Sequence, residues 1–177
     1  MFKGSYSVTI TPTSNDGKIE VRSLEKYFNW QIRKRIGGLI ILGSTGEFLS
    51  ISDDNRLKMI KESSSIIDKR VPLFVGTAAE NTYEAIKYSV EAQAQNADGV
   101  MIIPPFYSTP TPEELINHFR MISKEIDIPI MVYNNPATSN IDITPEIFAE
   151  LSKIKNVEYC KESTMDVTRV KEIDKQS

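Results

Sequence analysis

The feature that most constrains the fold is a sixfold alternation of short apolar segments with longer segments of helical periodicity. The apolar segments begin roughly 25 to 35 residues apart and are residues 6–10, 39–42, 72–76, 99–103, 129–133 and 157–161. A parallel strand pair needs a crossover connection that is long enough to hold a helix. Strands that alternate with helices at this spacing therefore predict a series of parallel β/α units.

Helix start and stop signals lie between these segments. Apolar residues from Val21 to Ile36 recur near helical spacing, and Gly37-Gly38 ends the run. Thr111 is followed by proline at the first helical position and by a capping-box glutamate, Glu114. The other predicted helices begin after Ser52, after Asn81 (ending near Asn96), after Thr144 and near Asp166.

Two architectures are built from such units. A doubly wound sheet of the dinucleotide-binding type would carry GxGxxG after its first strand, and that motif is missing. A (β/α)8 TIM barrel has the right unit length and buried strands, but it needs eight units and usually about 250 residues. The sequence stops within a helical pattern at Ser177. We therefore expect residues 1–177 to form an incomplete TIM-barrel domain that covers about the first six units.

Composition excludes several classes of partner. The 177 residues carry a net charge of −3 with a pI near 5.3. This charge does not indicate binding to nucleic acid or to an anionic membrane, both of which attract basic proteins. The densest basic run, Arg33-Lys34-Arg35, is predicted to be the solvated end of a helix. No apolar run approaches the length of a membrane span. A single cysteine and the lack of a secretory signal favour a reducing cytoplasm.

No metal site is predicted. Cys160 and the single histidine, His118, do not make a ligand cluster, and neither CxxC nor HExxH occurs. His118 falls in a helical pattern with Leu115 and Phe119, so we interpret it as an ordinary helix residue. Period-two alternation places Cys160 on the face of its strand that packs against helices, opposite the next residue, Lys161.

Polar residues follow three of the predicted strands, where active sites of parallel sheets and barrels gather. Gly43-Ser44-Thr45-Gly46-Glu47 follows the second strand, Tyr133-Asn134-Asn135-Pro136 overlaps the end of the fifth, and Lys161 ends the sixth. A lysine among apolar neighbours loses part of its preference for charge and becomes an amine that can attack a carbonyl. On residue type alone, a surface lysine at the end of a strand is the alternative.

Together with Thr11-Pro12, Pro104-Pro105-Phe106-Tyr107 and Lys161-Glu162-Ser163, these motifs resemble the dihydrodipicolinate synthase and N-acetylneuraminate lyase superfamily of class I pyruvate aldolases. The resemblance covers nearly the whole chain and implies a (β/α)8 barrel, usually tetrameric and without a cofactor. It also implies that Lys161 forms a Schiff base with pyruvate or another 2-keto acid. Tyr133 would shuttle protons, and Ser44 would connect it to Tyr107, which family members commonly supply from a neighbouring subunit. Thr45, with nearby loop N–H groups, would hold the substrate carboxylate.

The sequence departs from the synthase pattern at three positions. Thr138 stands where synthases carry an arginine that grips the second substrate, and Ser44 replaces a threonine, as it does in the lyases. Both changes favour a 2-keto-3-deoxy acid aldolase, a sialic-acid-type lyase or a related dehydratase over the synthase reaction. Asn140 replaces a usual glycine, and asparagine tolerates a left-handed backbone better than most residues.

A second hypothesis belongs to a different class of protein. The last two units of a barrel also line the pocket, so a chain without them would be a noncatalytic remnant or a protein that only binds 2-keto acids. Formation of a covalent adduct on Lys161 distinguishes the two hypotheses.

Overall fold

The computed structural model describes residues 2–176, and these divide into two compact units. The first unit comprises the chain up to Gly76 together with Glu91–Val100, and the second comprises Thr77–Val90 together with the chain from Met101 onward. The strands are β1 (Tyr6–Val8), β2 (Gly38–Ile41), β3 (Leu73–Gly76), β4 (Gly99–Ile102), β5 (Ile130–Asn134) and β6 (Val157–Glu162). The α-helices are α1 (Val21–Arg33), α2 (Asp53–Ile67), α3 (Thr82–Ala94), α4 (Pro112–Glu125), α5 (Pro136–Ser139), α6 (Pro145–Leu151) and α7 (Thr168–Gln176).

The predicted strand series is confirmed. Strand order in the sheet follows chain order, and the pairs β1–β2, β2–β3 and β5–β6 are parallel. Every residue of β2 and β3 is buried, as the continuous apolar runs predicted. The sequence did not predict α5 or the 3₁₀ turns at Ser44–Gly46 and Phe48–Ser50, because segments this short carry no periodic signal.

In the first unit, glycines leave room for two aromatic side chains from the neighbouring strands of the sheet. A Cβ on Gly38 would lie 2.0 Å from the Tyr6 ring, and one on Gly99 would lie 2.4 Å from the Phe74 ring. Tyr6 and Phe74 then meet edge to face, with ring centroids 6.0 Å apart. Gly38 and Gly99, the first residues of β2 and β4, are therefore needed for packing within the sheet.

Helix α1 ends three residues earlier than predicted. It stops at Arg33, and Arg35 has a positive φ of 60° that takes the backbone out of the helix. Gly37 then donates its N–H to the Ser5 carbonyl at 2.8 Å. A Cβ on Gly37 would lie 3.0 Å or less from two carbonyl oxygens of this segment, so close backbone approach requires glycine here. The basic run at the helix end is exposed, as predicted.

In the second unit, the capping box of α4 is confirmed. The Thr111 hydroxyl accepts from the Glu114 N–H, and the Glu114 carboxylate accepts from the Thr111 N–H at 2.8 Å. His118, one turn further on, is an ordinary helix residue as predicted: it is buried, and its Nδ1 lies 2.9 Å from the Thr82 hydroxyl. Ser52 and Thr144 do precede α2 and α6, but neither side chain makes a capping hydrogen bond.

Candidate active site

The structure brings Lys161 and Tyr133 together within the second unit. They are register partners on the parallel strands β5 and β6, so both side chains lie on the same face of the pair. The Lys161 Nζ lies over the Tyr133 ring, 3.5 Å from its centroid. Tyr133 is only 6% exposed and Lys161 is half-buried. The lysine amine is thus held against a phenol rather than extended into solvent.

The phenol of Tyr133 is surrounded by groups that act on its ionisation. Burial raises the pKa of Tyr133, but the charge of Lys161 and hydrogen bonds with Ser163, Lys161 and Asn135 together outweigh burial and lower the pKa below its ordinary value. The Asn135 amide nitrogen lies 2.9 Å from the phenol oxygen. A phenol with a lowered pKa gives up its proton more readily, so Tyr133 is suited to act as a general acid.

A polar network fixes the ends of these two strands. Asn134, which is fully buried, donates its side-chain amide to Glu162 at 3.0 Å and to Asp142 at 3.1 Å, and its side-chain oxygen accepts the Ile143 N–H. Arg169 donates to both carboxylate oxygens of Asp142, at 2.7 and 3.2 Å. Both polar atoms of the Asn134 side chain are satisfied, so the network holds the backbone on which Tyr133 and Lys161 are carried.

Tyr107 lies on an exposed segment of the second unit, and its side chain is 90% exposed. The segment is nevertheless held by Glu80, whose carboxylate accepts the backbone N–H groups of Phe106, Tyr107 and Ser108. On the other side, the Asn140 amide donates to the Phe106 carbonyl at 3.4 Å. Asn140 has a φ of 56°, so it adopts the left-handed conformation expected where the family has glycine.

Ser44 and Thr45 belong to the first unit and are exposed. They open the 3₁₀ turn that follows β2, and the Thr11 hydroxyl donates to the Gly46 carbonyl of that turn at 2.7 Å. A Cβ on Gly46 would lie 3.0 Å from the Thr9 carbonyl oxygen, so glycine lets the turn pack against the end of the first strand segment. The turn presents both predicted hydroxyls to solvent.

Cys160 is exposed, and it lines a groove with Phe148 of α6 and Ile173 of α7. This position agrees with the predicted face of the strand, opposite Lys161. The protein atoms of this groove partly desolvate the thiol although the residue is exposed, and this desolvation, together with the charge of Glu162, raises the pKa of Cys160 to about 12. Its thiol therefore stays protonated near neutral pH.

Sequence analysis assigned no role to two residues of this site, Glu80 and Asn135. Glu80 precedes a helix and acts on a segment 26 to 28 residues further along the chain. Asn135 lies inside a recognised motif, but its contact with Tyr133 depends on backbone geometry.

Among residues 2–176, no group of three or more histidine, cysteine or acidic side chains is placed to hold a metal ion. Within the same range, no helix has the length and apolar character to cross a membrane.

The parallel β/α series, with a lysine held against a tyrosine at the ends of neighbouring strands, places the chain in the class of β/α-barrel proteins. Comparison with known proteins gives the family. The sequence profile of the Dihydrodipicolinate synthetase family matches residues 1–177. The 4-hydroxy-tetrahydrodipicolinate synthase of Persephonella marina is 39% identical over 174 residues, and that of Acidiphilium cryptum is 35% identical over 169. This chain belongs to the dihydrodipicolinate synthetase family.

Solved structures confirm the predicted fold. The Methylacidiphilum fumariolicum SolV 4-hydroxy-tetrahydrodipicolinate synthase superposes on the whole chain with a TM-score of 0.96 at 32% identity. The chloride-inhibited dihydrodipicolinate synthase of Acinetobacter baumannii, solved with pyruvate, superposes on 99% of the chain with a TM-score of 0.95, also at 32% identity. The match to the Persephonella marina protein covers 98% of this chain but 59% of that protein. The chain therefore corresponds to about the first six units of a (β/α)8 barrel.

Proposed function

We propose that Lys161 forms a Schiff base with the keto carbon of pyruvate or a related 2-keto acid, in a lyase or synthase of the class I aldolase type. The observation that carries this proposal is the Lys161 Nζ, 3.5 Å from the centroid of its register partner Tyr133. Two relatives support the choice of substrate. The Acinetobacter baumannii synthase and the Escherichia coli K12 family member YagE were both solved in complex with pyruvate.

The chemistry follows from the two side chains. The Lys161 amine attacks the keto carbon through its nitrogen lone pair, and the proton that the nitrogen then loses passes to the former keto oxygen to give a carbinolamine. Tyr133 then donates a proton to that hydroxyl, which leaves as water while the nitrogen lone pair forms the C=N bond. The protonated imine accepts the electron pair when the adjacent carbon loses a proton or when a carbon–carbon bond breaks. This covalent imine serves as the electron sink, so the proposed reaction requires no separate cofactor.

The remaining roles rest on the family resemblance. By this resemblance Ser44 has the proton-relay role, and Thr45 binds the substrate carboxylate with nearby N–H groups. In the family, the residue at Tyr107 commonly acts in a neighbouring subunit, and its 90% exposure here suits that role. We accordingly propose a homotetramer of the full-length protein.

Thr138 bears on the second substrate. Its hydroxyl donates to the Asn135 carbonyl at 3.2 Å, within its own helical turn, and it offers no positive charge to a carboxylate. This observation favours cleavage or dehydration of 2-keto-3-deoxy acids. The synthase reaction is the second candidate, because the relatives named above are 4-hydroxy-tetrahydrodipicolinate synthases. Cleavage assays with 2-keto-3-deoxy acids, run beside the condensation assay, distinguish these activities.

Borohydride trapping tests the Schiff base. The folded chain is incubated with pyruvate and sodium borohydride, and the adduct is located by mass spectrometry of peptides. We expect one reduced pyruvate adduct on Lys161. The Lys161→Ala variant should give none, whereas Lys171→Ala, which removes an exposed lysine of α7, should keep it.

Absence of an adduct from the folded chain would contradict the catalytic proposal. If pyruvate still bound, as measured by calorimetry, the result would support a noncatalytic protein that binds 2-keto acids. That alternative is motivated by the length of the chain, which spans 59% of the Persephonella marina protein. Circular dichroism of each variant establishes that it is folded before trapping is scored.

A further inference from the structure

Two adjacent asparagines at the end of β5 have different surroundings. Asn134 is fully buried and bonds to Glu162, Asp142 and the backbone of Ile143. Asn135 is the first residue after β5, two residues beyond Tyr133. Its side-chain amide approaches the Tyr133 hydroxyl oxygen to 2.9 Å. The second asparagine therefore belongs to the site, whereas the first belongs to the network that supports it.

The backbone of Asn135 is held firmly. Its carbonyl oxygen accepts the N–H groups of Thr138 and Ser139, both at 3.0 Å, and the Ser139 hydroxyl, also at 3.0 Å. These bonds form the first turn of α5 and leave the side chain as the free part of the residue. A half-buried amide on an anchored backbone has few rotamers available, so its direction toward Tyr133 is set by the fold.

We propose that Asn135 is a positioning residue for Tyr133, whose amide N–H occupies an acceptor position of the phenol oxygen and orients the hydroxyl for proton transfer. The role of Tyr133 as the proton donor rests on the proposed function. A hydroxyl oxygen that accepts from an amide cannot send its own hydrogen to that amide. While Tyr133 is protonated, its hydrogen is left for a partner that can accept, either the Ser163 hydroxyl or the Lys161 amine in its neutral form.

The same contact favours the ionised form of the phenol. An N–H donor binds a phenolate more strongly than a phenol, because hydrogen bonds to charged oxygens are the stronger ones. Among the described residues, the charge that acts on Tyr133 is that of Lys161 on β6, and the neutral donors are Ser163 and Asn135. Asn135 therefore stabilises the phenolate without adding a charge to the site.

The test measures the ionisation of Tyr133 directly in the full chain. Tyrosines are labelled with carbon-13 at Cζ, and the Tyr133 signal among the seven tyrosines is assigned with a Tyr133→Phe variant. In Asn135→Leu, we expect the pKa of Tyr133 to rise by about one pH unit, since one hydrogen bond to the charged form is lost. In Asn135→Asp, which has nearly the same shape but carries a negative charge, we expect a larger rise. Asn140→Gly, which removes an amide from the same loop, should leave Tyr133 unchanged.

An unchanged pKa of Tyr133 in folded Asn135→Leu or Asn135→Asp would overturn the proposal. A fall in either variant would also overturn it, because the amide would then be stabilising the protonated phenol. Trapping with pyruvate and borohydride is measured on the same variants as a function of pH. If the parent chain forms no adduct but the pKa still responds to substitution, the Schiff-base function fails while the contact stands. If the adduct forms and the pKa does not respond, the positioning role fails alone.

Discussion

The buried histidine of α4 gives a prediction whose size follows from the structure. His118 is 4% exposed, and its Nδ1 lies 2.9 Å from the Thr82 hydroxyl. Burial lowers the pKa of His118 from 6.5 to about 4, and the charge of Glu80 offsets only part of this effect. Between these two values the unfolded chain binds a proton that the folded chain does not. The free energy of unfolding should therefore fall as the pH falls from 6.5 toward 4.

Each pH unit in this window costs about 1.4 kcal/mol, so the total loss is about 3 kcal/mol by pH 4. Above pH 6.5 the histidine is neutral in both states and contributes no slope. Urea unfolding of the parent chain and of His118→Gln, from about pH 4 to pH 7.5, measures the difference. Carboxylates titrate in both proteins, so the contribution of His118 is the part of the pH dependence of the unfolding free energy that the parent shows and the variant lacks.

Because the chain has one histidine, its proton NMR titration gives a single imidazole curve. We expect a midpoint near 4. A midpoint near 6.5, with parallel stability curves for the parent and the variant, would refute the assignment of a buried, neutral imidazole.

Two further predictions concern the surroundings of the site. Glu80→Ala removes the carboxylate that accepts the backbone N–H groups of residues 106–108. We expect the free energy that protects these amides from exchange to fall by about 2 kcal/mol, so their hydrogen exchange should speed up roughly thirtyfold. Glu84→Gln, which changes an exposed acid of the following helix α3, is the control, and equal protection in both variants would contradict the role of Glu80. The second prediction is that Cys160 reacts slowly with iodoacetamide, because a pKa near 12 leaves about a thousandfold less thiolate than the ordinary value of 9.0. Mass spectrometry should show rapid labelling only after unfolding, and equal rates in both states would argue against the raised pKa.

The sequence alone determined the order of elements and the identity of the chemical groups. Buried strands such as β2 are continuous apolar runs, and the helix that starts at Pro112 carries its capping box in four consecutive residues. These signals are local, so they can be read without tertiary contacts. Lys161 was identified as the candidate nucleophile because it ends the last strand of the series, and Tyr133 because it lies in a motif at the end of the strand before.

Tertiary structure decided which of these groups touch. The register of β5 against β6 includes an irregularity between Ile130 and Met131, so strand lengths alone would not have paired Tyr133 with Lys161. Glu80 reaches Tyr107 across 27 residues of chain, and no short-range pattern marks such a bond. The two asparagines after Tyr133 are identical as residue types, yet one is buried in a strand-end network and the other donates to the phenol. Local patterns fix secondary structure because backbone preferences act over a few residues, whereas the pairing of side chains depends on strand register and long-range packing.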